Sequence, residues 1–217
     1  MHWVYYFGRF LIRIVAFPFA RWEVYGNENL PGKGPLLIIC NHLSLADPPI
    51  VAASIKLPCV FMAKAELFEN RWTRYWVKNF GAFPVRRNTF DREALRQAED
   101  WLKKGVSVII FPEGGRARSR QLERGMPGAA VLVTHLDVPV LPVAITGTEH
   151  FEIHKLWMLC HRPRITVTIG KPFRPEHTGK LTKIERQKAM DRMMRKIAGL
   201  LPPEYRGVYG KDEETCY

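Results

Sequence analysis

At about 150 residues per domain, a chain of 217 residues has room for one domain and a short appendage. A hydrophobic fraction of 47% with 12% aromatics excludes wholesale disorder, and four cysteines (Cys40, Cys59, Cys160, Cys216) without C-x-x-C spacing exclude a disulfide framework and favour a reducing, intracellular setting. Against 33 Lys+Arg stand 21 Asp+Glu, so the net charge of +12 calls for an anionic partner: nucleic acid, an acidic membrane surface or a phosphorylated substrate.

The first twenty residues, MHWVYYFGRFLIRIVAFPFA, are dense in aromatic and aliphatic side chains. Arg9 and Arg13 interrupt them, and the longest uncharged run, Met1–Gly8, falls far short of the roughly 18–20 residues that span a bilayer. A secretory signal also fits poorly, because the basic residues lie inside the apolar stretch and no A-x-A site follows. On a helix, Tyr6, Phe10, Ile14 and Phe17 form an apolar stripe and Arg9 and Arg13 share a face. With Trp3, Tyr5, Tyr6 and Trp22 as interface anchors, and three arginines and no acid before Glu23, the pattern predicts an amphipathic helix lying in an anionic membrane surface. The competing reading packs this helix on the domain's own core. The predicted division places the membrane segment at residues 1–22 and the catalytic domain at 23–217.

Beyond it, short apolar runs predict buried strands at Leu36–Cys40, Val60–Ala63, Val106–Phe111, Val140–Ile145 and Ile165–Ile169. Between the second and third, Ala94, Leu95, Ala98, Trp101 and Leu102 recur at helical spacing over Asp91–Lys104, with Asn88 as N-cap and Gly105 as stop. Gly128–Leu136 reads as a further helix. A last one carries Ile184, Met190, Met193, Met194, Ile197 and Leu201, and Pro202–Pro203 ends it. Strands alternating with helices predict an α/β fold with a largely parallel central sheet flanked by helices.

Asn41-His42-Leu43-Ser44-Leu45-Ala46-Asp47-Pro48 follows the first strand, at the C-terminal mouth where open α/β sheets bind ligands. Of the seven histidines, His42 alone has an aspartate five positions on. Asp47 before Pro48 suits a helix N-cap. Turned toward His42, the same carboxylate would fix the imidazole tautomer and support the imidazolium formed when the other nitrogen takes a proton. Phe111-Pro112-Glu113-Gly114-Gly115-Arg116 follows the third strand. Its glycines let backbone approach a ligand closely, and Arg116 offers a phosphate-matching fork.

These two blocks resemble the glycerophospholipid acyltransferases, in particular the 1-acylglycerol-3-phosphate acyltransferase branch. Three further segments agree, in the family's order over roughly residues 25–175: Met62-Ala63-Lys64-Ala65-Glu66-Leu67, Gly81-Ala82-Phe83-Pro84-Val85-Arg86-Arg87 (similar to the family's acceptor-binding block) and Val138-Pro139-Val140-Leu141-Pro142-Val143. Gly115 stands where the family usually has Thr and Ala117 where it has Ser, removing two hydroxyls near the expected phosphate.

The resemblance implies transfer of a fatty acyl group from acyl-CoA or acyl-carrier protein to the sn-2 hydroxyl of lysophosphatidic acid, giving phosphatidic acid. His42 and Asp47 would be the general-base pair, and Asn41, Lys64, Arg87, Glu113, Gly114, Gly115 and Arg116 would bind substrate. Histidine's near-neutral pKa suits deprotonation of an attacking alcohol. No Gly-x-Ser-x-Gly elbow is present, which favours direct attack on the thioester, and Cys40 reads as buried filler. No cofactor is expected. Nor is a metal, since His150, His154 and His161 with Glu149 and Glu152 lack a His-Glu-x-x-His pattern. Basic side chains on the last helix could meet a membrane or an acidic carrier protein. The location implied is the cytoplasmic face of the cell membrane, held peripherally or monotopically. Other readings are the same chemistry on another lysophospholipid or a glycolipid, or a non-catalytic protein binding anionic lipid or nucleic acid; no nucleic-acid recognition motif accompanies the charge.

Overall fold

The computed structural model describes residues 3–86, 91–127, 130–131, 138–150, 162–175 and 182–210. In chain order these contain α1 (Trp3–Phe19), β1 (Arg21–Tyr25), β2 (Leu37–Cys40), α2 (Asp47–Ser54), β3 (Cys59–Lys64), α3 (Arg71–Asn79), β4 (Ala82–Val85), α4 (Arg92–Lys103), β5 (Ser107–Ile110), β6 (Val140–Thr146), β7 (Arg164–Ile169) and α5 (Lys183–Ala198). The strands form one sheet in the order β1-β7-β6-β2-β5-β3-β4. All neighbours are parallel except β6 and β7, so β1 and β7 run against the other five.

Burial on both faces explains why the central strands are continuously apolar. Leu37, Ile39, Val108 and Ile110 pack with Ala98 and Leu102 of α4 and Met190, Met193, Met194 and Ile197 of α5. Alternate residues Ile38, Cys40, Ile109, Leu141 and Val143 point to the other face, against Ile50 and Val51 of α2. All five predicted strands are present, with bounds shifted by a residue or so. The expected cap of α4 is corrected. Asn88 lies outside the described residues, and Asp91 caps the helix by accepting from the Glu93 and Ala94 N–H groups. Gly105 follows α4 with φ +76°, the conformation a helix stop requires. The helix expected over Gly128–Leu136 lies outside the described residues apart from 130–131, which are helical.

Helix α1 reverses part of the predicted arrangement. Its arginines face the protein: Arg9 donates to the Ile55 carbonyl and Arg13 to that of Ala53 at 2.7 Å, answering carbonyls at the C-terminus of α2. Tyr5 is fully buried and its hydroxyl accepts from the Cys59 N–H at 3.0 Å. Tyr6, Phe10 and Ile14 point outward, each more than half exposed. One face of α1 thus packs on the domain and the apolar stripe is left outside. None of the described helices is long and apolar enough to cross a membrane. Strand β1 begins at Arg21, so the division expected after residue 22 falls inside a strand.

Candidate active site

Parallel pairing of β2 with β5 places Ile39 opposite Ile110. His42 and Glu113 each lie three residues further on, so the 71-residue interval between them is the interval between paired strand positions. The two motifs therefore leave the sheet side by side, and hydrogen bonds join them. The His42 N–H donates to Glu113 Oε1 at 2.8 Å, and the Ala117 N–H donates to the His42 carbonyl at 2.8 Å.

The His42 side chain is held on two sides. Its Nδ1 lies 2.8 Å from Asp47 Oδ2, and its ring stacks on Phe111 with centroids 4.4 Å apart. Both His42 and Asp47 are buried. Asp47 Oδ2 also accepts from the N–H groups of Leu43 (2.6 Å) and Ser44 (2.7 Å), which point the carboxylate back at the imidazole. This corrects the N-cap reading: Ala46 occupies the cap position of α2, and the Asp47 side chain closes the turn before it. An ionised carboxylate receiving Nδ1–H leaves Nε2 as the basic nitrogen.

Two residues expected to bind substrate have their polar atoms engaged in the scaffold. Asn41 is buried. Its Nδ2 donates to the Ile145 carbonyl at 2.8 Å and its Oδ1 accepts the Ile145 N–H at 2.8 Å, tying the end of β2 to β6. Glu113 Oε2 accepts from the Glu123 N–H at 2.9 Å while Oε1 holds the His42 N–H, so this carboxylate clasps the loop to the His42 turn. Burial, helped by the neighbouring Glu123 and Asp47 carboxylates, pushes the Glu113 pKa up to about 7 despite its two N–H donors.

Gly114 has φ +74°, and a Cβ there would stand 2.4 Å from Met126 Sδ, so the turn needs glycine. A side chain at Gly115 would meet nothing within 4 Å. Arg116 is exposed beside it. Lys64 ends β3, the next strand along this edge, and its ammonium pairs with Glu66 at 3.0 Å. The segment likened to an acceptor-binding block forms edge strand β4, and Arg87 lies outside the described residues.

Sequence reasoning missed Glu123, whose N–H anchors Glu113, and the stacking role of Phe111; only the aromatic at the strand end hinted at the latter. Burial pushes the Cys40 thiol pKa well above its ordinary value, which suits filler and not a nucleophile. Among the described residues no His/Cys/Asp/Glu cluster could hold a metal ion. Glu149 accepts from the Tyr205 hydroxyl, and Glu152, His154 and His161 lie outside the described residues.

Comparison with known proteins agrees with this geometry. A family model described as Acyltransferase matches residues 21–146, which include both motifs. The 1-acyl-sn-glycerol-3-phosphate acyltransferase of Bacillus subtilis is 31% identical over 172 residues, covering 77% of this chain and 81% of its own. That of Streptococcus pneumoniae is 30% identical over 70% of this chain and 57% of its own. The crystal structure of the 1-acyl-sn-glycerophosphate acyltransferase PlsC from Thermotoga maritima superposes with a TM-score of 0.65 at 26% identity, over 91% of this chain and 78% of that one. A parallel sheet delivering a His–Asp pair and a glycine-arginine loop to one edge, matched over more than half its length by one family model, establishes that this chain belongs to the acyltransferase family.

Proposed function

We propose that this acyltransferase moves a fatty acyl group from a thioester of CoA or acyl-carrier protein to the sn-2 hydroxyl of 1-acylglycerol-3-phosphate, giving phosphatidic acid. The observation carrying the reading is the buried His42–Asp47 pair, 2.8 Å apart, on the turn that shares hydrogen bonds with the Glu113–Arg116 loop. His42 Nε2 takes the hydroxyl proton as the acceptor oxygen attacks the thioester carbonyl. Collapse of the tetrahedral intermediate breaks the C–S bond, and the departing thiolate receives the proton from the imidazolium. Asp47 keeps Nδ1 protonated and balances the transient charge. Arg116 and Lys64, with Arg87, hold the acceptor phosphate.

The acceptor is a membrane lipid. The outward stripe of Tyr6, Phe10 and Ile14, with Trp3, supports a reading in which α1 rests in the cytoplasmic face of the cell membrane.

The test is an acyl-transfer assay over a panel of lysolipids with both donor types, run on the intact chain and on Arg116→Ala. Transfer to lysophosphatidic acid above all other acceptors is expected. Loss of the guanidinium should lower kcat/KM for it by about 10- to 150-fold, the value of a charge-assisted hydrogen bond of roughly 1.5–3 kcal/mol, with much less effect on an uncharged monoacylglycerol. Preference for an acceptor without a phosphomonoester would overturn the assignment.

A further inference from the structure

Helix α3 is built unlike the other helices of the fold. Its sequence, RWTRYWVKN, leaves none of its residues fully buried; Trp72 is 80% exposed, Trp76 58% and Tyr75 51%. Aromatic side chains of this size seldom stand in water without a partner. Trp72, Tyr75 and Trp76 fall at i, i+3 and i+4 and form one stripe. Arg71, Arg74 and Lys78, at i, i+3 and i+7, form the stripe beside it, and the helix contains no acid. Only Val77 and the following Phe80 turn toward the core.

The position of α3 adds a second observation. The Phe80 ring lies 6.1 Å from that of Tyr5 and covers Gly8, where a Cβ would come within 2.6 Å of it. The N-terminal half of α1 and the C-terminal end of α3 therefore pack together on one face of the sheet. Trp3 and Phe7, at that end of α1, are 66% and 50% exposed.

We infer that α3 is a second lipid-contacting element: its Trp72–Tyr75–Trp76 stripe enters the headgroup region of an anionic bilayer beside α1, with Arg71 and Lys78 on the lipid phosphates, while Arg74 donates to the Phe68 and Glu69 carbonyls. Aromatic rings with an apolar body and a polar edge favour this depth, and a flanking basic stripe is complementary to anionic lipid and to no neutral surface. Two separate helices fix how the domain sits on the bilayer, which one helix free to roll cannot do. The inference rests on the proposed contact of α1 with the membrane.

The experiment measures co-sedimentation of the full chain with vesicles of phosphatidylglycerol and phosphatidylcholine, comparing it with Trp72→Ser/Trp76→Ser and Phe7→Ser/Phe10→Ser. Each pair is exposed, and thermal melts confirm folding. The α3 pair should lower the partition coefficient about tenfold or more and leave turnover of detergent-dispersed acceptor unchanged. Vesicles with brominated acyl chains should quench less of the remaining tryptophan fluorescence in that variant. Unchanged partition and quenching while the α1 pair weakens binding would overturn the role of α3 alone. A change from dimer to monomer at unchanged partition would mark the stripe as a protein contact and also overturn it. Failure of the intact chain to bind any vesicle would overturn the membrane reading itself, and α3 with it.

Discussion

Three N–H groups converge on one oxygen of Asp47, those of Leu43, Ser44 and the His42 ring, and this convergence gives a flexible side chain a single orientation. Beyond its bond to Asp47 and its contact with Phe111, the His42 ring makes little of the fold's cohesion. His42→Ala should therefore keep a near-native melt while kcat falls by roughly 10²–10⁴, the range for a lost general base; near-native turnover in the folded variant would remove His42 from the mechanism. Glu113 makes a different prediction. Its folded pKa, about 7, lies above the ordinary 4.5. A carboxyl raised on folding adds stability that is complete below pH 4.5 and disappears as pH rises through 7. The contribution is on the order of 3 kcal/mol. Melts of the wild type and Glu113→Gln between pH 4 and 8 should show this slope in the wild type alone, and parallel curves would mean that Glu113 does not titrate there. Near pH 4 Glu113→Gln should be the less stable protein, since an amide nitrogen cannot accept the backbone N–H that one carboxyl oxygen now holds, and the gap should close as pH rises toward 8.

At the scale of elements, the loop after β5 keeps its shape through a glycine and a methionine. Gly114→Ala faces both φ +74° and a 2.4 Å approach to Met126 Sδ, so it should cost about 1–2 kcal/mol and slow turnover by displacing Arg116. Met126→Ala removes the steric half of the problem and should recover part of the loss. A double-mutant cycle without coupling would show that the backbone conformation alone is responsible. The same contrast between backbone and side chain explains what the sequence made legible. Central strands are apolar throughout because both faces are covered, and α4 and α5 each show one apolar stripe. The edge strands escaped notice: β1 mixes Arg21 and Glu23 into RWEVY, and β4 is four residues long with Pro84 inside it. Helix α2 is legible only at its start, where Asp47-Pro48 suits a helix N-terminus, because it is short, and α3 turns only Val77 and Phe80 inward, too few to make a period. In the site, motif spacing brought His42, Asp47 and the Glu113–Arg116 turn to one sheet edge, where the structure places them together. It could not show that Asn41 and Glu113 bond to backbone, because a polar residue in a motif reads the same whether it faces a ligand or a neighbouring strand.

For the whole molecule, the net charge of +12 and the exposed apolar side chains must act on the same membrane or on different partners. The layer of α1 and α3 carries both kinds of group, Tyr6, Phe10 and Trp72 together with Arg71 and Lys78. The opposite layer exposes Lys183, Arg192, Arg195 and Lys196 of α5, a helix whose one large exposed hydrophobe is Ile184. The arginines within α1 are engaged with carbonyls at the end of α2, so the lipid contact proposed for α1 is mainly apolar. Raising ionic strength from 0.1 to 1 M shortens the screening length from about 10 to 3 Å and suppresses contacts that depend on charge. Binding through the α1–α3 layer should weaken severalfold on anionic vesicles under that change and still persist, because the buried apolar area is insensitive to salt. Binding through α5 would vanish, having little apolar area beneath it. Vesicle partition measured across this salt range separates the two: a residual plateau places the α1–α3 layer on the bilayer, whereas complete release at 1 M places α5 against the lipid.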